Sequence, residues 1–475
     1  MSSLLPETGR ALRHRLATAQ VSARAPSVVA AVVRDGGQVW REGWGSVDGV
    51  TPGGDMQYRI GSITKTFVTV LVLRLRDEGR LALADRLDQH LPGTAIGDAT
   101  IGALLAHTAG LAAEPPGPWW ERSPGALRPE LTDTLPREPR VFPPGHRFHY
   151  SNPGFAVLGA LVERLHGEAW TEVLTREILE PLGMTRTGPR PSAPHASGWA
   201  VHPWADVLLP EPIQDYGPMG PAGELWSTAD DLARFAAFLL DGDERVLRAE
   251  SRAELRFPSS APEATAWNSS YGLGTQLLRR GERLLSGHTG SVPGFVATVW
   301  VSHDDGLGAV LLANTTSGLP VGTVTADLLD LVAEREPRIP APWTPLTDLD
   351  PAVLELAGPW YWGPTAQIVR PVADGGLELG TLTGGGGRGA RFRASGDGTW
   401  IGLTGYFAGE RLTPHRDANG MLTHLDIGTF VFTRQPYDPA APVPGGIDPA
   451  GWQPHPGTVE SADPPQHPTS IEPTG

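Results

Sequence analysis

Ser62 and Lys65 stand three positions apart in Gly61-Ser62-Ile63-Thr64-Lys65, at the start of an apolar run that predicts a helix over 62–80. Side chains at i and i+3 share a helix face, so the hydroxyl and the amine converge. A neutral lysine there takes the serine proton, and the helix N-terminus favours the negative charge that develops nearby. Ser-x-x-Lys occurs by chance in many chains. Here Lys65 is the single lysine among 38 basic residues, and all the others are arginine. Arginine keeps its proton at any workable pH, whereas a buried lysine can lose it and act as a base.

A second constellation is Tyr150-Ser151-Asn152, preceded by the turn-rich Pro143-Pro144-Gly145. A phenol beside a lysine ammonium has its pKa lowered and can shuttle a proton to a leaving group. Asn152 offers an amide to hold Lys65 or a substrate carbonyl. The third is His288-Thr289-Gly290, between two β-type runs. On an edge strand, Gly290 would leave room for a substrate backbone. The next amide, on Ser291, would pair with the Ser62 amide as an oxyanion hole.

Each of the last two motifs is weak alone, since Tyr-x-Asn is common at helix N-termini and histidine is ordinary in turns. Taken together and in this order, the three resemble the serine β-lactamase and penicillin-binding protein superfamily. The tyrosine version is similar to its class C branch, as are Leu104-Leu105-Ala106-His107-Thr108-Ala109-Gly110-Leu111 and Gly220-Pro221-Ala222-Gly223-Glu224-Leu225-Trp226-Ser227. The resemblance covers about residues 10–335. It implies Ser62 as the acylated nucleophile with Lys65 and Tyr150 as proton-transfer partners. Asn152, His288, Thr289, Gly290 and Ser291 would bind substrate. Which of Lys65 and Tyr150 is the base stays open, because coupled groups titrate as a pair.

The chain departs from that pattern at His288, where penicillin-binding proteins and most β-lactamases have lysine. A histidine of ordinary pKa is mostly neutral at pH 7 and gives a substrate carboxylate no fixed partner. The change resembles the esterases, D-amino-acid peptidases and penicillin-binding-type peptide cyclases of the superfamily, and weakens the case for β-lactams.

The elements that must position these residues are legible as alternating patterns. Helical spacing over Leu4–Ala19 precedes β-type runs at Ser27–Arg34 and Gln38–Val47, joined through Asp35-Gly36-Gly37. Helices are predicted at 100–106, 153–166, 170–179 and 227–240. Strands return at 271–278, 283–287, 295–302 and 307–314, before a closing helix at 321–333. The expected fold is α/β: a class C β-lactamase-like sheet flanked by helices, with a helical subdomain, over residues 1–336. A proline-rich linker at 337–349 leads to a small antiparallel, lipocalin-like β-barrel at 350–435. Eleven prolines from Pro436 onward predict a disordered tail over 436–475, and Gly384–Gly387 reads as a hairpin loop.

Composition removes other classes. The net charge of −15 disfavours nucleic-acid or anionic-membrane binding, and no run approaches the length of a membrane span. There is no cysteine, hence no disulfide, thiolate site or cysteine nucleophile. The histidines show no ligand spacing and no phosphate loop appears, so no metal or other cofactor is expected. Arg10, Arg13, Arg15 and Arg24 interrupt the first residues, which do not read as a signal peptide, and a cytoplasmic location is expected. The leading reading is a serine hydrolase that forms an acyl-enzyme from a small-molecule or peptide ester or amide, including D-amino-acid-containing peptides. Its alternatives are a penicillin-binding-type thioesterase or peptide macrocyclase of non-ribosomal peptide biosynthesis, and an acyl-binding sensor that does not turn over. The sequence leaves the oligomeric state unknown.

Overall fold

A computed structural model describes residues 4–260, 268–346, 350–382 and 388–436. The tail beyond 436 and the Gly384–Gly387 loop lie outside them. The chain divides into two compact units between Ile339 and Pro340, within the stretch expected as linker.

The first unit opens with α1 (Pro6–Ala23), β1 (Ser27–Arg34) and β2 (Gly37–Gly45). Next come α2 (Thr64–Asp77), α3 (Asn152–His166) and α4 (Ala229–Asp241). It closes with β3 (Ser269–Tyr271), β4 (Gln276–Arg280), β5 (Arg283–Val292), β6 (Phe295–Ser302), β7 (Leu307–Ala313) and α5 (Val321–Arg335). The strands form one antiparallel sheet in the order β2-β1-β7-β6-β5-β4-β3. Pairing of β1 with β7, Val28 opposite Ala313, joins the two distant ends of the unit.

The runs in β1, β6 and β7 are continuously apolar because both faces of the sheet are covered. Val28, Ala30 and Val32 of β1 face Leu12 and Leu16 of α1 and Leu328 of α5 in one core. Val29, Ala31 and Val33 point into the larger core with Phe67 of α2, Phe155 of α3 and Phe235 of α4. Phe67 stacks on Phe235 at 3.9 Å between ring centroids, which fixes α2 against α4.

Two expectations need correction. The run 271–278 is not one strand: it breaks at Gly272 and Gly274 (φ +62°) into β3 and β4. A side chain at Gly274 would collide with Thr69 of α2, so the chain turns where it must pass that helix. The strand expected at 283–287 runs on to Val292, so His288-Thr289-Gly290 lies within β5 rather than between two strands. That strand is internal, yet its pairing with β4 stops at Gly287, leaving 288–292 as a local edge beyond β6.

The second unit is a closed antiparallel barrel of β8 (Gly358–Trp362), β9 (Thr365–Pro371), β10 (Leu377–Thr381), β11 (Ala390–Ala394), β12 (Trp400–Gly402), β13 (Arg411–Arg416), β14 (Leu422–Ile427) and β15 (Phe430–Thr433). Trp360, Leu377, Phe392, Phe407, Leu412 and Ile427 fill its interior. Among the described residues, no helix is long and apolar enough to cross a membrane.

Candidate active site

Two facing glycines bring the turn that carries Ser62 against the sheet. Gly61 has φ +50°, and a Cβ there would lie 2.7 Å from the Ser291 nitrogen. A Cβ on Gly290 would lie 1.9 Å from the Ile60 carbonyl oxygen and 3.1 Å from the Ser62 nitrogen. The room that Gly290 leaves is therefore taken by the 60–62 backbone and not by a substrate chain. Ser62 sits on a short 3₁₀ turn, Gly61–Ile63, ahead of α2, rather than inside the helix. Residues i and i+3 eclipse in such a turn, so the convergence with Lys65 survives the change. Lys65 Nζ lies 3.0 Å from Ser62 Oγ and donates to the Ala222 carbonyl at 2.5 Å. Ala222 belongs to the 220–227 segment, whose contribution to the site the sequence did not show.

Lys65 is fully buried, and both of its hydrogen-bond partners are neutral. Burial lowers its pKa to about 7 against the pull of Glu114 and Glu121. At neutral pH a large fraction of the amine is uncharged and able to accept the Ser62 proton. Tyr150 departs from expectation: burial, with Glu114 and Glu121 nearby, drives its pKa up, and the Ser62 hydroxyl pulls back only in part. Its hydroxyl is buried without a formed hydrogen bond, and Lys65 Nζ sits over its ring at 5.0 Å from the centroid. Tyr150 is thus a neutral phenol.

Ser151 caps α3, accepting from the Gly154 amide, and so fixes its neighbours at the helix start. Asn152 does not hold Lys65. Its amide donates to Glu114 Oε1 at 2.9 Å, while Glu114 Oε2 accepts from the Trp120 indole at 2.8 Å. Glu121 accepts from the Trp119 indole at 2.8 Å, and burial raises its pKa. These two carboxylates, one exposed and one half-buried, were missed because nothing in their spacing marks them.

His288 is placed beside the group, but behind it. Its side chain is fully buried, with Nδ1 2.5 Å from the Thr289 carbonyl and Nε2 3.0 Å from the Tyr271 hydroxyl. A carbonyl only accepts, so Nδ1 carries the proton and Nε2 accepts from Tyr271. Burial and Lys65 lower its pKa to about 3. Histidine here is a neutral, capped wall and offers no contact for a substrate carboxylate, which corrects its expected substrate-facing position. Thr289 is likewise occupied, giving both its amide and its hydroxyl to Gln276 Oε1 at 3.0 Å. His107 packs on Tyr150 and Tyr271, and its Nδ1 accepts from the Ser151 amide.

Ser291 is better placed. In the β5–β6 ladder, amides alternate in direction from residue to residue. The Thr289 amide points away from β6 to Gln276, so the Ser291 amide two residues on points the same way, toward the turn that carries Ser62.

This fold agrees with the comparisons. The chain belongs to the Beta-lactamase family, whose model matches residues 10–334. Residues 349–434 match a second model, described only as a domain of unknown function, DUF7586. The chain is similar to penicillin-binding protein 4 of Amycolatopsis lactamdurans, 30% identical over 65% of this chain and 86% of that protein. It also resembles protein flp of Staphylococcus aureus, 24% identical over 62% of this chain and 60% of that one. Among solved structures, the octameric penicillin-binding protein homologue from Pyrococcus abyssi has a TM-score of 0.59 at 20% identity, covering 90% of this chain and 99% of that one. The D-amino acid amidase from Ochrobactrum anthropi SV3 has a TM-score of 0.58 at 21% identity, covering 69% and 99%.

Proposed function

We propose that this protein is a serine hydrolase that cleaves amides or esters through an acyl-enzyme on Ser62. The observation that carries this reading is the buried Lys65 amine 3.0 Å from the Ser62 hydroxyl. Neutral Lys65 takes the Ser62 proton as Oγ attacks the carbonyl carbon. The amides of Ser62 and Ser291 hold the oxyanion. Tyr150, a neutral phenol, donates to the leaving group and is reprotonated through Lys65, and water resolves the acyl-enzyme.

The substrate's charge follows from the surroundings. His288 supplies no cation, and Glu114 and Glu121 make the wall beside Asn152 negative. Acyl groups bearing an ammonium are favoured over carboxylate-bearing ones, which suits free-amine amino-acid amides; a D-amino acid amidase is among the structural neighbours.

The test is intact mass after a fluorophosphonate probe, followed by hydrolysis of a matched amide series: free α-amine, N-acetyl and N-succinyl, in D and L forms. Labelling should vanish in Ser62→Ala, and the free amine should be the best substrate. Glu114→Gln should shrink that advantage by up to about fivefold, the upper range for an exposed ion pair. Labelling that persists in Ser62→Ala refutes the nucleophile. A preference for the succinyl substrate refutes the charge argument.

A further inference from the structure

We propose that His415, His424 and Asp426 form a site for one divalent transition-metal ion of the zinc class on the outer face of the barrel. The chain shows no ligand spacing here in one dimension, because strand register supplies it. His415 of β13 lies directly opposite His424 of β14, and Asp426 follows on the same face two residues later. Leu412, Leu425 and Ile427 alternate with them and point into the barrel core, so the three polar side chains face outward.

The two imidazoles stack in parallel, 4.4 Å between centroids and 3° between planes. One ligand atom from each of the three residues falls within 4.8 Å of the others. Asp426 Oδ2 is 2.8 Å from His415 Nε2, and Oδ1 is 3.9 Å from His424 Nε2. Ligand atoms around a tetrahedral zinc ion are about 3.4 Å apart, so one of these distances is shorter and the other longer than required, and one of the two stacked rings must rotate to turn its in-plane lone pair toward a shared ion.

The proton positions argue for a cation. Thr423 has one hydroxyl proton and donates it to the His415 carbonyl at 3.0 Å. Its 2.9 Å contact with His424 Nδ1 therefore has the ring as donor, which leaves a lone pair on His424 Nε2 in the neutral ring. That lone pair faces a carboxylate, and Asp426 Oδ1 is buried with no hydrogen-bond partner. His415 Nε2 is buried and lacks a well-formed partner too, because its close approach to Asp426 is poorly aligned. With the His415 ring rotated out of the stack, one ion satisfies all three atoms, and Thr423 already holds His424 as an outer-sphere partner holds a metal-bound imidazole. Two imidazoles and one carboxylate suit zinc over magnesium or calcium, with water completing the coordination. Bound there, the ion clamps the β13–β14 hairpin beside the bulge at His415/Arg416.

The experiment uses the untagged full chain, stripped with chelator and dialysed, then titrated with zinc chloride against a chromophoric competitor. One equivalent should bind, and His424→Gln and Asp426→Asn should each weaken it by at least about tenfold. Zinc should raise the melting temperature of the wild type and leave both variants unchanged. Cobalt(II) loaded into the wild type should show visible absorption of a low-coordinate nitrogen–oxygen site, a readout that needs no variant to fold. Absence of one-equivalent binding, absence of that absorption, or unchanged affinity in His415→Gln/Asp426→Asn would overturn the site.

Discussion

Lys65 is held by a serine hydroxyl and a backbone carbonyl, and only the charges of Glu114 and Glu121, neither hydrogen-bonded to it, oppose the loss of its proton. Arginine in its place keeps the charge but cannot release the proton. Lys65→Arg should therefore lower kcat/KM by at least about a hundredfold, the low end for losing a general base, and Ser62→Ala should do so as well. Activity within threefold of wild type (about 0.6 kcal/mol) would show that Lys65 acts only as a cation. The same amine sets the pH profile. With its pKa lowered to about 7, the reactive neutral form grows as pH rises through 7 and levels off above it. The kcat/KM of a neutral ester should climb roughly tenfold per unit below that midpoint and reach a plateau near pH 8. His288, titrating at about 3, adds no limb in this range. A profile that rises only above pH 9 would mean that Lys65 is not the base.

The turn at Gly61–Ile63 and strand β5 meet backbone to backbone, and the nucleophile's position depends on that contact. Gly290→Ala forces a methyl into the Ile60 carbonyl, so the turn must move away from the Ser291 amide. Overpacking of this kind costs about 1–3 kcal/mol. Acylation by a fluorophosphonate should slow by more than tenfold, although the mutated residue touches no substrate. Unchanged acylation would separate the β5 edge from the oxyanion geometry. Tyr271→Phe tests the other side of β5: it leaves the buried His288 Nε2 without a donor and should lower stability to urea by about 1–3 kcal/mol. An unchanged midpoint would mean that water or another donor replaces the phenol. These elements also mark what the sequence could tell. Ser62 and Lys65 were legible because three residues along one turn is local geometry, and β1, β6 and β7 because doubly covered strands are continuously apolar. Tyr271 over His288, Asn152 on Glu114 and the His415–His424 pair were not legible. Each depends on strand register or loop path across a gap in sequence, which no local pattern encodes.

The helix that carries Lys65 also contributes Phe67, Val68, Leu71 and Val72 to the larger core, so the proposed chemistry and the stability act on the same atoms. Burying Lys65 works against folding. Its pKa falls from 10.5 in the unfolded chain to about 7 in the folded one, so between these values the unfolded state binds more protons. Stability therefore rises with pH across that window, by at most about 1.4 kcal/mol per pH unit, and the penalty is full below pH 7. Lys65→Met keeps most of the volume and removes the charge. The variant should be inactive yet melt at least about 3 °C higher at pH 6.5, since about 1 kcal/mol moves a unit of this size by roughly 1–2 °C and the full penalty is several kcal/mol. The gap between the two proteins should narrow steadily from pH 7 to pH 9.5, because the wild-type amine loses its proton on folding in this range and each rise in pH makes that loss less costly. Comparing the two chains cancels the titrating groups that Lys65 does not influence, and His107 and His288, which it does influence, have their pKa values lowered below this range. Urea midpoints of the catalytic unit across this range provide the measurement. A gap that is independent of pH would mean that the lysine enters the core without losing its proton, and the general-base assignment would fail with it.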